Sequence, residues 1–537
     1  MLLPVLQIHG ITGQRYMASG KDQDMVCFRE AFTKLKNGND VRGAFIATEE
    51  EKQTFTPELA AWIAKAFAAF LAEKEKKQAG QLRIGIGHDS RVSAPQLKAA
   101  GITGLSDCTV YDCGLITTPA MFQSVILPDS SFDGAIMLTA SHLPFNRNGM
   151  KFFTKSGALS SAELTGILDC AVKMAEEYAA QHGTETLLMP DASGGQEPVQ
   201  FDMKGVYCAH MRALIKENTH SADQDAPLKG LHILVDSGNG ASGFFATDIL
   251  EALGADISGS QFLEPDGMFP NHVPNPENKD AMASVREAVL KAGADLGVIF
   301  DCDGDRAAVV FSDGTEVNRN ALIALLAVIV SEKAPGSWVV TDSVTSDELG
   351  VFLTEKLGMK HLRFKRGYKN VIDRGIKLNE SGERCELAIE TSGHGAFKEN
   401  HFSDDGAYIA LKIICRMADL MQEGKRIEDL TADLKAPAEA KEIRYKITET
   451  DFAAYGKQAL EDFRAFCESA PEFEIVEPNY EGVRVNYDIN GKTGWVLLRM
   501  SLHDPVMPMN LESSVPGGCE AVLAVLKNFF DQKTTLR

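Results

Sequence analysis

The sequence lacks the features that define several protein classes. It has no run of about 18 apolar residues, so we expect no transmembrane helix and no membrane partner. The first six residues are apolar, but no basic segment precedes them and His9, Arg15 and Lys21 soon follow, so we expect no signal peptide. The 10 cysteines form no CxxC pair, which is typical of reduced thiols and not of a disulfide scaffold. We therefore expect a cytoplasmic protein.

Positive charge is also scarce. The net charge is -21, and binding a nucleic-acid backbone requires a basic face, so nucleic acid is not an expected partner. A local basic pocket can still bind a small phosphorylated ligand within an acidic protein. With 537 residues, 44% of them hydrophobic and 24% charged, the chain has material for three or four globular domains. No sequence feature specifies an oligomeric state.

One pattern occurs three times along the chain. An apolar run ends in a small polar loop at 82–91, 231–241 and 338–346. Each is followed, some fifty or sixty residues later, by a second apolar run that ends in a more polar loop, at 134–144, 296–306 and 387–395. Continuous apolar runs of this length predict buried parallel strands. Helices are predicted between strands at 57–76, with Thr56 as the cap, and at 281–292 and 320–333.

Three repeats of strand, helix and strand predict three related α/β domains with mixed, mainly parallel sheets. Ligands of such sheets bind at loops that follow the carboxyl ends of strands. After residue 434 a linker-like stretch at 435–440 precedes a smaller α+β domain, with strands predicted at 482–487 and 494–500. The predicted domains are 1–190, 191–315, 316–434 and 435–537, and 182–200 is predicted to be an exposed connection.

The loop 139–144 contains Ser141 and His142 at the end of a predicted strand. An exposed serine before a proline turn can act as a nucleophile or as a carrier of phosphate. The alternative is that both side chains only bind backbone groups of the loop. From this loop alone, both interpretations stay open.

The loop 301–306 carries three carboxylates at alternate positions, Asp301, Asp303 and Asp305. They repel one another unless a cation lies between them, and hard oxygen ligands suit Mg²⁺, Mn²⁺ or Ca²⁺. An EF-hand fits poorly, because Arg306 occupies the glycine position and Ser312 the position of the last glutamate. Arg306 beside the carboxylates is a candidate clamp for a phosphate.

The loop 390–394 combines a carboxylate, a hydroxyl and an imidazole in Glu390, Ser392 and His394. This set suits a polyhydroxylated ligand such as a sugar, although an ordinary turn explains the loop about as well. The glycine-rich segments 10–15 and 87–91 each supply an arginine, and each is most simply explained as a turn.

Together, and in this order, the loops resemble those of the α-D-phosphohexomutase superfamily, which includes phosphoglucomutases and phosphomannomutases. Leu143 stands where that family usually has asparagine, and Cys302 where it usually has glycine. The resemblance covers nearly the whole chain. It rests on the serine loop 139–144, the metal loop 301–306 and the sugar loop 390–394. It also rests on an N-terminal element at 10–15, a substrate-contacting turn at 367–369 and a segment before the metal loop at 265–271.

The resemblance implies an isomerase that interconverts hexose 1-phosphate and hexose 6-phosphate through a phosphoserine and a bisphosphate intermediate. It implies Mg²⁺ as cofactor, a hexose 1,6-bisphosphate as activator and a phosphorylated hexose as substrate. The implied catalytic residues are Ser141, His142, Lys151 and Arg306, and the implied metal ligands are Ser141, Asp301, Asp303 and Asp305. The implied substrate-binding residues are Arg15, Lys369, Glu390, Ser392, His394, Arg499, Ser501 and His503. The pair Glu390 and Ser392 favours glucose or mannose phosphate over N-acetylglucosamine phosphate.

The C-terminal loop departs from the family pattern. The family normally has Arg-Pro-Ser-Gly-Thr-Glu-Pro there, whereas residues 499–505 keep Arg499 and Ser501 but have Leu502 and His503 in place of Gly and Thr. Leucine cannot reproduce a close backbone approach at positive φ. The departure leaves open a catalytically impaired sugar-phosphate-binding or regulatory homologue. A further alternative is a haloacid-dehalogenase-type phosphatase with Asp301 as nucleophile, because 298–304 is similar to the nucleophile motif of those enzymes.

Overall fold

The computed structural model describes residues 27–192, 197–501, 504–533 and 535–536. Four α/β units follow one another along the chain, each built on its own sheet. Across these described ranges, no helix has the length and apolar character needed to cross a lipid bilayer.

The first domain contains an eight-stranded mixed sheet in the order β1-β2-β6-β5-β3-β4-β8, with β7 beside β6. The pairs β3–β4, β3–β5 and β4–β8 are parallel, and the others are antiparallel. Because β8 pairs with β4, this sheet extends beyond residue 190, the predicted end of the domain. The elements are α1 Arg29–Thr33, β1 Lys36–Asn37, β2 Asp40–Ala44, α2 Pro57–Glu75, a 3₁₀ turn Ala79–Gln81, β3 Arg83–His88, α3 Ala94–Gly104, β4 Thr109–Leu115, α4 Thr118–Gln123, β5 Gly134–Leu138, β6 Arg147–Thr154, β7 Gly157–Ala158, α5 Ser161–Gln181 and β8 Val199–Gln200.

Helix α2 shows how local sequence fixes these elements. Thr56 accepts a hydrogen bond from the Leu59 N–H, and Pro57 occupies the first helical position, as predicted. Lys76 ends the helix in the left-handed conformation at φ 53°. The inner face, which includes Phe67, is buried against the sheet.

The second domain has a four-stranded sheet in the order β12-β11-β10-β9, in which β9–β10 is parallel and the other pairs are antiparallel. The predicted helix 281–292 begins two residues earlier, because Asn278 caps it by accepting from two backbone N–H groups. The elements are α6 Met203–Asn218, β9 Ile233–Asp236, a π-helical turn Phe245–Leu250, a 3₁₀ turn Glu251–Leu253, α7 Lys279–Ala292, β10 Leu296–Phe300, β11 Ala307–Phe311 and β12 Glu316–Val317.

The third domain has a four-stranded sheet in the order β14-β13-β15-β16, with parallel pairs β13–β14 and β13–β15 and an antiparallel edge strand β16. The elements are α8 Arg319–Lys333, β13 Trp338–Thr341, α9 Asp347–Val351, a π-helical turn Phe352–Lys356, β14 Lys360–Arg363, α10 Tyr368–Glu380, β15 Cys385–Ile389, β16 Gly395–Phe397, a 3₁₀ turn Lys398–Asn400, α11 Gly406–Gln422 and a 3₁₀ turn Ile427–Thr431.

The first three domains share a hairpin that explains where the polar loops lie. In each domain a strand with a parallel neighbour (β5, β10 or β15) ends in one of the polar loops, and the chain then returns as an antiparallel partner (β6, β11 or β16). The predicted α/β fold with mixed sheets and loops at strand ends is confirmed. One apolar core runs continuously through the three domains.

The fourth domain is an antiparallel five-stranded sheet in the order β17-β21-β20-β19-β18, packed against two helices around a core of its own. The prediction of a linker at 435–440 is partly wrong, because Glu439 and Ala440 already belong to an edge strand that pairs with β21. The elements are β17 Glu439–Lys446, α12 Phe452–Ser469, β18 Phe473–Ile475, β19 Val483–Ile489, β20 Lys492–Leu498, β21 Val506–Ser513 and α13 Gly518–Phe530.

Candidate active site

The three polar loops predicted from the sequence meet at one place. The Ser141 hydroxyl of the first domain donates to Asp301 Oδ2 of the second at 3.0 Å. Arg306 of the second domain donates from Nε to His394 Nε2 of the third at 2.9 Å, and the two residues form an isolated antiparallel bridge. The loops that follow β5, β10 and β15 therefore form a single site between the domains.

The backbone at Ser141 is strained. Its φ is 51°, in the left-handed region that few residues other than glycine adopt, and its side chain is fully buried. The loop holds this conformation through a chain of hydrogen bonds: the Ser141 N–H donates to Thr139 Oγ1 at 2.8 Å, and that hydroxyl donates to Asp89 Oδ2 at 2.7 Å. The strain directs the serine hydroxyl toward Asp301.

Arg91 organises the serine loop. Its buried guanidinium pairs with Asp89 at 3.2 Å and donates to four backbone carbonyls of the loop. These are the carbonyls of Ser141, Leu143, Pro144 and Arg147. The hydrogen bonds to Leu143 and Pro144 are 2.7 Å long, and the one to Arg147 is 2.9 Å long. Segment 87–91 was predicted to be a simple turn. In the structure its arginine, Arg91, holds the backbone of the loop that positions Ser141.

The predicted metal ligands Asp301, Asp303 and Asp305 are fully buried, and one atom of each lies within 4.8 Å of the others. Thr118 donates to Asp303 Oδ2 at 2.5 Å, and Lys151 donates to Asp305 Oδ2 at 2.7 Å. Counting partners among the described residues only, Asp303 Oδ1 and Asp305 Oδ1 have no hydrogen-bond donor. Buried, clustered and unbonded carboxylate oxygens fit a hard divalent cation such as Mg²⁺.

The pKa shifts of Asp301 and Asp305 agree with a binding site for a divalent cation. Burial and the neighbouring Asp305 and Asp303 raise the pKa of Asp301 well above its usual value. Burial also acts to raise the pKa of Asp305, but Lys151 and Arg306 outweigh it and lower that pKa. Without a cation, the protein therefore favours a proton on Asp301, next to the serine hydroxyl.

Three further predicted residues contact either the serine or the loop 301–306. His142 Nδ1 lies 3.3 Å from Ser141 Oγ, and Arg306 together with burial lowers the pKa of this imidazole well below its usual value. Burial acts to lower the pKa of Lys151, but Asp305 and Asp40 outweigh it and raise that pKa well above the usual value. Burial and Arg306 lower the pKa of His394 well below its usual value, and its Nδ1 lies 2.5 Å from Asp404. The histidines are therefore neutral and the lysine is charged.

Glu390 lies at the centre of the sugar loop. The Gly367 N–H donates to its Oε1 at 2.7 Å, and Ser392 Oγ lies 3.5 Å from its Oε2. The neighbouring Thr391 hydroxyl ties the loop to β13 by donating to Asp342 at 2.7 Å. Burial and the Asp342 carboxylate raise the pKa of Glu390 to about 7.

The other predicted substrate residues lie in different surroundings. Lys369 is the second residue of α10 and forms an ion pair with Asp373 on the same helix. Arg499 follows β20 and lies 3.9 Å from Glu481, and the Ser501 hydroxyl accepts from the Asp504 N–H at 3.2 Å. Arg15 and His503 lie outside the described residues, as do segment 10–15 and Leu502.

Two further residues reach the serine loop and the sugar loop: Arg42, on a strand that no sequence motif marks, and Tyr368, within the predicted substrate-contacting turn 367–369. Arg42 on β2 donates to the Ala140 carbonyl at 3.2 Å and pairs with Asp40 at 3.0 Å. The Tyr368 hydroxyl accepts from Asn39 at 2.7 Å, and its ring stacks on His394 with centroids 5.2 Å apart. An arginine two residues after an aspartate on a short strand matches no motif, so only the fold reveals the first of these contacts.

Three domain families match successive parts of the chain. They are described as phosphoglucomutase/phosphomannomutase, alpha/beta/alpha domains I, II and III, and they match residues 33–178, 206–314 and 318–437.

Similar proteins of known name cover most of the chain. A phosphomannomutase/phosphoglucomutase of Pseudomonas syringae pv. tomato is 30% identical over 492 residues, which is 90% of this chain and 92% of that protein. A phosphoglucomutase of Neisseria gonorrhoeae is 27% identical, with coverage of 88% and 92%. A crystal structure of a phosphoglucomutase/phosphomannomutase family protein from Burkholderia thailandensis matches the fold with a TM-score of 0.73 at 24% identity, covering 94% of this chain and 98% of that one.

Proposed function

The chain belongs to the phosphoglucomutase/phosphomannomutase family of the α-D-phosphohexomutase superfamily, and on that premise we propose that this isomerase works through a phosphorylated Ser141. It interconverts hexose 1-phosphate and hexose 6-phosphate, with a hexose 1,6-bisphosphate as intermediate and activator. The observation that carries this proposal is the 3.0 Å contact between the Ser141 hydroxyl and Asp301, beside two unbonded carboxylate oxygens.

Asp301, Asp303 and Asp305 would hold Mg²⁺, with an oxygen of phosphorylated Ser141 as a further ligand. When bound, the ion would neutralise these carboxylates and withdraw charge from the transferring phosphoryl group. Arg306 and Lys151 lie beside the same carboxylates at 3.6 and 2.7 Å and would stabilise the charge on the other phosphoryl oxygens.

The transfer exchanges one phosphate ester for another. A free hydroxyl of the bound hexose phosphate attacks the phosphorus, its new P–O bond forms, and the bond from phosphorus to Ser141 Oγ breaks. His142, neutral and 3.3 Å from Oγ, accepts the proton of the attacking hydroxyl and returns it to the leaving serine oxygen. The bisphosphate then turns over in the cleft and returns its other phosphate to Ser141 by the reverse step.

The sugar would be held by the third domain while the non-reacting phosphate is held near the fourth. Glu390 and Ser392 offer acceptors to ring hydroxyls, and the buried position of Glu390 makes each such hydrogen bond stronger than in water. Arg499 and Ser501 would bind the phosphate, together with Lys369, Arg15 and His503.

The direct test is the conversion of glucose 1-phosphate and mannose 1-phosphate to their 6-phosphates with Mg²⁺ and the matching 1,6-bisphosphate. We expect turnover with at least one of the two, little with N-acetylglucosamine 1-phosphate, and a requirement for the bisphosphate. If the protein binds these sugar phosphates without converting any of them, the altered loop 499–505 has ended catalysis and the impaired homologue is the correct account.

The pKa of Glu390, about 7, predicts a pH dependence of that reaction. Below pH 7 Glu390 is protonated and loses an acceptor for the sugar hydroxyls, so kcat/KM should rise with pH through about 7. Glu390→Gln should remove this rise and lower kcat/KM by about 10-fold or more. Ser392→Ala, which keeps the carboxylate, is the matched control and should retain the rise. A Glu390→Gln profile that still rises through pH 7 would exclude Glu390 as its origin.

A further inference from the structure

A carboxylate of the fourth domain occupies a group of anion-binding donors at the edge of the third. Glu481 lies two residues before β19, and its Oε2 accepts from the Ser343 hydroxyl at 2.5 Å and from the Arg366 N–H at 3.0 Å. Its Oε1 lies 3.9 Å from Arg499 Nη1. A hydroxyl, a backbone N–H and a guanidinium that converge in this way form the usual surroundings of a phosphate.

Two guanidinium groups, those of Arg366 and Arg499, lie near Glu481. Burial and the nearby Arg366 guanidinium lower the pKa of Arg499, so the two arginines repel each other. Arg499 Nε is buried and, as far as the described residues extend, meets no hydrogen-bond acceptor. Arg366 has Asp342 as a partner at 3.5 Å, whereas within the described part of the chain Arg499 pairs only with the more distant Glu481 oxygen. A phosphate dianion with three oxygens would satisfy this site better than one carboxylate does.

A tight turn builds Glu481 into this position. Gly482 has φ 59°, and a Cβ there would lie 2.2 Å from the Leu498 carbonyl oxygen and 2.8 Å from Arg499 Cα. The Asn479 side chain donates to the carbonyls of Glu481 and Gly482, each at 2.9 Å. The turn thus packs directly on the segment that carries Arg499. The backbone therefore fixes the position from which the carboxylate of Glu481 reaches the site.

The occupied donors adjoin the sugar loop. Arg366 N–H binds Glu481, and the next N–H along the chain, that of Gly367, binds Glu390. A hexose whose hydroxyls contact Glu390 would therefore carry its non-reacting phosphate to the donors that Glu481 holds.

We propose that Glu481 is an internal substitute for the substrate's non-reacting phosphate, which must displace it to bind. This inference rests on the proposed function and adds a residue that sets substrate affinity. The internal carboxylate is one of several contacts between the third and fourth domains, beside those that Arg484 makes with Ser343 and Asp347. Because it competes with the phosphate, it lowers the apparent affinity for every phosphorylated hexose.

The test is calorimetric binding of glucose 6-phosphate to Glu481→Gln, with glucose as the unphosphorylated probe. The amide keeps the size of the side chain but removes its charge, so binding of glucose 6-phosphate should tighten by about threefold or more, and binding of glucose should not change. KM for the hexose 1-phosphate should fall in parallel. Thermal unfolding of the variant establishes that it is folded, and Glu481→Asp, which retracts the charge, provides a second variant with the same expected direction.

Asp347→Asn is the matched control for a loosened domain contact. Asp347 binds Arg484 of the fourth domain at 2.9 Å across the same boundary, without touching Ser343, Arg366 or Arg499. It should leave the affinity for glucose 6-phosphate unchanged. Equal or weaker binding by Glu481→Gln, or the same gain in Asp347→Asn, would overturn the proposal while leaving the mutase function intact. Failure of the unmodified protein to bind any sugar phosphate would instead reject both.

Discussion

Replacing Ser141 with alanine should lower turnover of hexose 1-phosphate by at least about 10³-fold, because no other group can carry the phosphoryl between the two ends of the sugar. The fold should persist. The substitution removes the hydrogen bond from the serine hydroxyl to Asp301 and its contact with His142, while the hydrogen bonds from Arg91 to the loop carbonyls remain. Steady-state assays with saturating bisphosphate, together with thermal unfolding, measure both effects.

Ser124→Ala is the matched control for the loss of a buried serine hydroxyl. Ser124 lies in the same domain, and its hydroxyl donates to the Met121 carbonyl within α4 at 2.7 Å, away from the polar loops. It should keep full turnover. Activity of Ser141→Ala within a few fold of the unmodified protein would contradict a phosphoserine intermediate.

Removing the divalent cation should abolish turnover and also reveal the repulsion within the acidic cluster. In EDTA the pKa of Asp301 is raised in the folded protein, so the folded state holds a proton that the unfolded state releases. Its contribution to stability is therefore present at low pH and is lost as pH rises through the raised pKa. We expect the free energy of unfolding to fall as pH rises from the usual aspartate pKa through the raised one, and Mg²⁺ at about 100 times its dissociation constant to restore about 2.7 kcal/mol.

Asp301→Asn removes one charge while keeping an acceptor for the Ser141 hydroxyl. In EDTA this variant should be as stable as the unmodified protein or more so at pH 8, respond little to Mg²⁺, and lose at least about 10²-fold in turnover. Asp280→Asn, on the exposed first turn of α7 in the same domain, should behave like the unmodified protein. Full activity in EDTA would remove the metal role of the three aspartates.

Hydrophobic periodicity and composition were sufficient to predict the strands and helices that position the site. The buried run Leu296–Phe300 and the charged loop after it predict a strand end that carries a cluster of carboxylates, and the structure places Asp301, Asp303 and Asp305 together there. Helix α2 was predictable since its cap and first residue are local signals. These features depend on neighbours in sequence.

Contacts between distant segments were not predictable in this way. Arg91 and Arg42 act on the serine loop from segments about 50 and 100 residues away, and Glu481 reaches the third domain across more than 100 residues. The stretch 435–440 has the composition of a linker, yet Glu439 joins the sheet because its carboxylate accepts from the Gly517 and Cys519 N–H groups. In each case contacts between residues distant in sequence determine the structure, and the local sequence preference does not.

The phosphatase alternative places the phosphate on a different atom. It requires Asp301 to attack as a carboxylate, whereas the structure buries that side chain, raises its pKa and gives its Oδ2 a hydrogen bond from Ser141. The two accounts therefore differ in which of two oxygens 3.0 Å apart, Ser141 Oγ or Asp301 Oδ2, carries the phosphoryl group.

The central claim is tested most directly by locating the phosphate. The protein is incubated with Mg²⁺ and glucose 1,6-bisphosphate, digested, and its peptides are mapped by mass spectrometry before and after a chase with glucose 1-phosphate. The account predicts one phosphoryl group on Ser141 that passes to the sugar during the chase. A phosphate on Asp301, or none on Ser141 while turnover proceeds, would contradict it.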